Sequence, residues 1–370
     1  MRFLPHRELF CSLLLTICCV TAAQAEDQKQ FRQQGTPAIK SAGPLAFGPE
    51  GVLFVGDSQA ASLWAISVPK ASGDPAKAGM KLDNLEKRIA GLLGTTPADL
   101  LINDMAVQPG SQIVYLSVAR GRGPDGQAAL LKIDGQGQIS EVPLENVAYD
   151  QVELTNVPKI DEKDRRGNSL RSESITDLAY VDGRVVLAGL SNEEFASKLR
   201  AISFPFTGKD LSTSVEIYHG AHGQYETRAP VRTFVPFVTG KELNIVAAYT
   251  CTPLVVVPVS ALAPNSKVQG RTVAELGNRN RPLDMIAYER DGKQFLLVAN
   301  SARGVMKVST DALATQPSIK DKVADTAGLP YETVASLKGV EQLDKVGTSA
   351  AAVLVRGDDK TLTLQVIELP

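Results

Sequence analysis

The chain has 370 residues, with 39 Lys and Arg against 41 Asp and Glu and a formal net charge of −2 at pH 7. A near-neutral chain without a basic block excludes nucleic-acid binding, which relies on clustered Lys and Arg. With only three histidines and four cysteines, any site built from them has few members.

The first 25 residues read as a secretory signal peptide. Arg2 and Arg7 make a positive start, an apolar run from Leu9 to Val20 follows, and Ala23-Gln24-Ala25 supplies a small-x-small cleavage site before Glu26. That run is too short to span a bilayer, and no later segment approaches about 18 uninterrupted apolar residues. The expectation is a secreted or periplasmic protein with no integral membrane segment after processing. Cleavage would remove His6, Cys11, Cys18 and Cys19 and leave His219, His222 and Cys251, so no internal disulfide can form. Residues 26–36 read as a linker and residues 37–370 as one domain.

The rest of the chain repeats one unit: a short strand, a turn, an apolar strand, a polar turn and a third strand. Units open near Pro44, Asp104, Asp177, Thr233, Asp284 and Asp344, roughly 50 to 70 residues apart, a spacing typical of repeat architectures. Turn signals such as Pro49-Glu50-Gly51, Val181-Asp182-Gly183 and Arg290-Asp291-Gly292 separate the first two strands. The second strands (VLFV, IVYL, VVLA, NIVA, FLLV) are continuous apolar runs, as strands buried between packed sheets require. Repeated units of about four strands predict an all-β propeller of six blades. A seventh blade would have to lie between Gly135 and Lys159, and a two-sheet sandwich or a pair of small β domains is the alternative fold. The last unit ends with its third strand, so an N-terminal strand near residues 36–40 (TPAIK) is expected to close the ring.

The segments GPLAFGPEGVLFVGD, NDMAVQPGSQIVYL and RPLDMIAYERDGKQFLLVA resemble blades of the NHL and gluconolactonase-like propellers. The resemblance implies a divalent cation in the central channel, held by a Glu, Asn and Asp set. Asn103 and Asp104 match part of that set, while Gly43-Pro44 stands where a glutamate is expected.

Up-and-down pairing within a blade puts the loop that enters its first strand and the loop between its second and third strands on one face. His219 and His222 (HGAHG) precede the inner strand of the fourth blade, and Cys251 follows its second strand. The three are therefore expected on that face as a copper or zinc site, since imidazole and thiolate suit those ions. Met285 or Met306 would be an axial ligand. The alternative is a buried apolar cysteine beside two turn histidines.

Asp104, Asp177, Asp284 and Asp344 open their blades and are expected around the channel mouth, with Asn103, Arg281 and Asn300 nearby. Calcium suits such a set of oxygen ligands; the alternative role is capping of backbone N–H groups. Arg120, Arg122, Asn278, Arg279, Asn280 and Arg303 enrich the same face in polar groups, which makes it the expected surface for a small ligand or a protein partner.

Gly56-Asp57-Ser58 resembles the nucleophile block of GDS esterases, but no histidine follows His222 to complete it. There is no Cys-x-x-Cys-His for covalent haem and no phosphate-binding glycine loop. No reaction is named by these residues. The leading reading is an exported propeller that binds a metal ion or small ligand; a metal-dependent lactonase-like hydrolase and a non-catalytic scaffold of the cell envelope are the alternatives.

Overall fold

The computed structural model describes residues 30–70, 79–111, 113–122, 126–207, 212–251 and 253–370. The signal peptide assigned to residues 1–25, with His6, Cys11, Cys18 and Cys19, lies outside them. No helix among the described residues is long and apolar enough to cross a membrane.

Alternating apolar runs and turns build six sheets, and the sheets form a six-bladed β-propeller. The inner strands are Leu45–Phe47, Leu100–Val107, Asp177–Val181, Val231–Thr239, Pro282–Arg290 and Val340–Val346 in blades I to VI. The apolar second strands are buried as predicted; every residue of Val52–Asp57 is buried. Six apolar clusters fill the wedges between blades, and each draws its side chains from two sheets. Fully burying one such Leu or Val is worth about 1.5–3 kcal/mol, so these wedges dominate the stability of the ring.

The clusters also give the order of the blades. They join I to III, III to IV, IV to V, V to VI, VI to II and II to I. Blade I therefore lies between II and III, and the first two units are exchanged relative to a sequential ring. After the third strand of blade I, the chain adds Lys81–Leu82 to the edge of blade VI, where Leu82 pairs with Leu364. The helix Leu85–Leu92 then packs Leu85 and Ile89 between blades VI and II. Once blade II is complete, Val147–Glu153 returns to supply the fourth strand of blade I beside Ser62–Ser67.

Two expectations change accordingly. An earlier strand does complete blade VI, but it is Lys81–Leu82 rather than residues 36–40. The latter are held on blade I, because the N–H groups of Lys40 and Ser41 donate to the buried carboxylate of Asp57 at 2.7 and 3.0 Å. The stretch considered for a seventh blade instead holds the outer strands of II and I, Ile139–Glu141 and Val147–Glu153. Gln33–Gly35 adds a fifth strand to blade I, and Arg32 grips Asp150 through two 2.7 Å hydrogen bonds.

Candidate functional site

The two histidines occupy the tip of a hairpin. Strand Ser212–His219, the outer strand of blade III, turns back into Gln224–Glu226 with Ile217 opposite Glu226 and His219 opposite Gln224. His219 thus ends a strand rather than lying in a loop, while His222 is in the turn. The N–H groups of His222 and Gly223 both donate to the His219 carbonyl, at 3.1 and 2.8 Å. Gly223 has φ +69°, a left-handed conformation that glycine adopts without cost. Tyr218 and Tyr225 stack edge-to-face across the hairpin at 5.2 Å.

The register puts Glu226 beneath both rings. His219 Nδ1 donates to Glu226 Oε2 at 2.9 Å, and His222 Nδ1 donates to Oε1 at 2.5 Å. A carboxylate only accepts, so each imidazole presents an Nδ1–H to Glu226, and Nε2 is the ring nitrogen that Glu226 leaves unengaged. The rings are 4.0 Å apart, centroid to centroid. Burial alone would raise the Glu226 carboxyl, but the two imidazoles hold it down at about 2. His219 is 2% exposed, and its Nε2 is buried without a hydrogen-bond partner.

Cys251 comes from blade IV, just past the strand Glu242–Tyr249. It is a free thiol in the left-handed region, φ +63°, and its N–H donates to the Asn280 carbonyl at 3.0 Å. Asn300 supports that carbonyl's residue by donating to Asn280 Oδ1 at 2.8 Å. The ligand atoms of His219, His222 and Cys251 lie within 4.8 Å of one another. The predicted trio is therefore assembled from two blades, with His219 buried and His222 half exposed. Carboxylate–imidazole pairs of the Glu226 kind are the usual outer support of metal-ligating histidines. Met285 and Met306 pack in the apolar wedge between blades IV and V instead.

Two acidic residues at this site escaped the sequence reading. Glu226 had a signal, since it stands four residues beyond His222 in the same short segment. Glu275 had none: it lies on strand Arg271–Leu276 and meets the hairpin only through folding, its Oε1 accepting the Gly220 N–H at 2.5 Å. Burial raises its carboxyl, with the backbone N–H of Gly220 opposing.

The four aspartates are tied to the backbone of two blades. Each accepts backbone N–H groups from its own strand and from a neighbouring blade. Asp104 takes Leu45, Asp344 takes Val107, Asp284 takes Leu343 and Asp177 takes Phe234, all at 2.6–2.8 Å. This is the capping alternative, extended across blade boundaries. The aspartates line a channel cavity of about 620 Å³ that runs along the inner strands to the turns at Pro109-Gly110 and Gly347-Thr348. Burial, followed by mutual repulsion, pushes Asp104 up to about 8. Burial likewise raises Asp177 to about 7 and Asp344 to about 6.

Asn103, Arg281 and Asn300 are not among the residues lining that cavity. Asn103 donates to the Ala42 carbonyl at 2.7 Å, and the Arg281 N–H donates to Ser301 Oγ at 2.9 Å. Arg120, Arg122 and Arg303 are tied to Leu93, Ala98 and Asp325 respectively. Asp57 of the esterase-like Gly-Asp-Ser is spent on backbone and Ser41 hydrogen bonds.

No protein-family model matches the sequence. No curated protein matches it either. Solved structures that match include the extracellular region of plexin A4, at 10% identity over 91% of this chain and 40% of that one, TM-score 0.41. The chain thus spans well under half of that region. The PQQ-bound aldose sugar dehydrogenase of Streptomyces coelicolor matches at 10% identity over 91% of this chain and 97% of that one, TM-score 0.31. A protein described as a gluconolactonase matches at 9% identity over 92% and 96%, TM-score 0.33.

Proposed function

We propose that this chain is an exported propeller protein that binds copper or zinc through His219, His222 and Cys251. One observation carries the reading: a single carboxylate, Glu226, engages both Nδ1 atoms, so that His219 is left with a buried Nε2 without a hydrogen-bond partner in a group that includes a free thiol. An unpaired buried polar atom costs about 1–3 kcal/mol, and a cation bound to the unprotonated nitrogen would remove that cost. Thiolate and imidazole together favour zinc or copper over calcium or magnesium.

A hydrolase with its cation in the channel has less support, because the four aspartates are already engaged by backbone N–H groups. Export is supported by the leader-like segment before Glu26. The protein purified from the cell envelope without a histidine tag, and analysed by metal mass spectrometry, is expected to carry near-stoichiometric copper or zinc. The metal is expected to be lost in Cys251→Ser and in the double variant His219→Ala/His222→Ala. A wild-type protein that holds no metal even after reconstitution would sink the proposal and favour a partner-binding scaffold. The same preparation tests processing, since its N-terminal residue should be Glu26.

A further inference from the structure

We propose that Glu275 is a fourth donor at the His219–His222–Cys251 site and that it selects a divalent ion such as zinc(II) over cuprous copper; this rests on the metal reading above. Glu275 is 1% exposed, and a carboxylate removed from water is costly unless it is paired. Its Oε1 is placed by the N–H of Gly220, the residue after His219. A Cβ at position 220 would crowd this contact, lying 2.9 Å from Oε1 and 3.1 Å from Cγ of Glu275. In the sheet Glu275 stands opposite Pro253, which follows Cys251 by two positions. The carboxylate is therefore set between the segment bearing the imidazoles and the one bearing the thiol.

Its second oxygen, Oε2, is buried without a hydrogen-bond partner, as is His219 Nε2. A carboxylate oxygen and an unprotonated ring nitrogen, both orphaned beside one glycine, would both be satisfied by a cation. Glu275 is not one of the three mutually close donors, so it joins by rotation of its side-chain torsions as the ion binds. Charge then sets the selectivity. The Cys251 thiolate alone balances a singly charged ion, and Glu226 is already occupied by the two Nδ1 protons. A ligating carboxylate beside the thiolate balances a dipositive ion and completes a four-donor set of two nitrogens, one sulfur and one oxygen. Zinc takes such tetrahedral sets, whereas cuprous copper prefers soft donors and gains little from a carboxylate oxygen.

The test uses the full chain, stripped of metal under reducing conditions. It is titrated with zinc(II) against a chromophoric chelator and, anaerobically, with copper(I) against a competing ligand. Glu275→Gln keeps an acceptor for Gly220 but turns the free oxygen into an NH₂ group. Zinc affinity is expected to fall about 10- to 100-fold in this variant, the range for losing a metal-supporting group, with copper(I) affinity nearly unchanged. Cys251→Ser is expected to weaken both. If Glu275→Gln binds both ions like wild type, or weakens both equally, while Cys251→Ser loses both, the role of Glu275 is overturned and the metal site stands. If Cys251→Ser changes neither ion, or wild type binds neither, the site reading fails and this inference fails with it. Should Glu275→Gln not fold, Glu275→Asp keeps the charge but retracts the oxygen, and it is read by the same two titrations.

Discussion

Asp104 Oδ2 accepts the backbone N–H of Leu45 at 2.7 Å across the boundary between blades II and I. The same bond recurs from VI to II, V to VI and III to IV, always in one sense around the ring. Pro44 and Thr233 occupy the equivalent positions of blades I and IV, so two of the six boundaries lack the staple. The aspartates thus act first as connectors between blades.

Removing one connector should cost stability. In Asp284→Ala, the N–H groups of Met285 and Leu343 lose acceptors at 2.7 and 2.8 Å. Each stranded buried donor costs about 1–3 kcal/mol, so a loss of about 2–6 kcal/mol is expected in denaturant unfolding. Asp358→Ala, which removes only an exposed ion pair with Lys338, should leave the midpoint unchanged. Equal midpoints for the two variants would show that the staples carry no load.

The channel carboxyls also set a pH dependence. Asp104 titrates at about 8 in the fold, against roughly 3.9 in an unfolded chain. Between those values the folded state holds a proton that the unfolded chain has released, so this contribution is complete below about pH 4 and falls as pH rises toward 8. Asp177 and Asp344, raised to about 7 and about 6, act in the same direction. The thermal midpoint is therefore expected to decline from mildly acidic to mildly basic pH, with a shallower slope in Asp104→Asn. A midpoint that climbs across this window would contradict the assignment.

Glu226 offers a sharper handle on the metal site. It is the one acceptor for two imidazole N–H groups, and a glutamine presents only one carbonyl oxygen to them. Glu226→Gln should release one ring and lower copper or zinc affinity about 10- to 100-fold. Competition titration of the stripped protein reads this directly; unchanged affinity would reduce Glu226 to a turn-stabilising residue.

The periodicity of apolar second strands made the blades legible, because strands buried on both sides need continuous apolar runs. His219, His222 and Cys251 were legible as a group because propeller topology converts chain position into a face. The exchange of blades I and II was not, since it depends on Lys81–Leu82, two residues whose backbone pairing leaves no side-chain pattern. Glu275 was hidden for a related reason: its partner is a glycine N–H 55 positions away. Asp284 and its counterparts looked like ligands because a carboxylate that takes backbone N–H groups and one that awaits an ion read identically in a sequence.

The exchanged ring can be tested by covalent chemistry. Leu82 and Leu364 are directly paired in antiparallel strands, where opposed Cα atoms stand about 4.5–5.5 Å apart, inside the range a disulfide spans. In a Cys251→Ser background, Leu82→Cys with Leu364→Cys should oxidise to an intramolecular disulfide, seen as a gel-mobility shift reversed by reductant. A sequential ring would leave the edge of blade VI to residues 36–40, so Ile39→Cys with Leu364→Cys would cross-link instead. Ile39 packs in the wedge between blades I and II, and that second pair should remain reduced. Cross-linking of the second pair and not the first would restore the sequential order and refute the strand exchange.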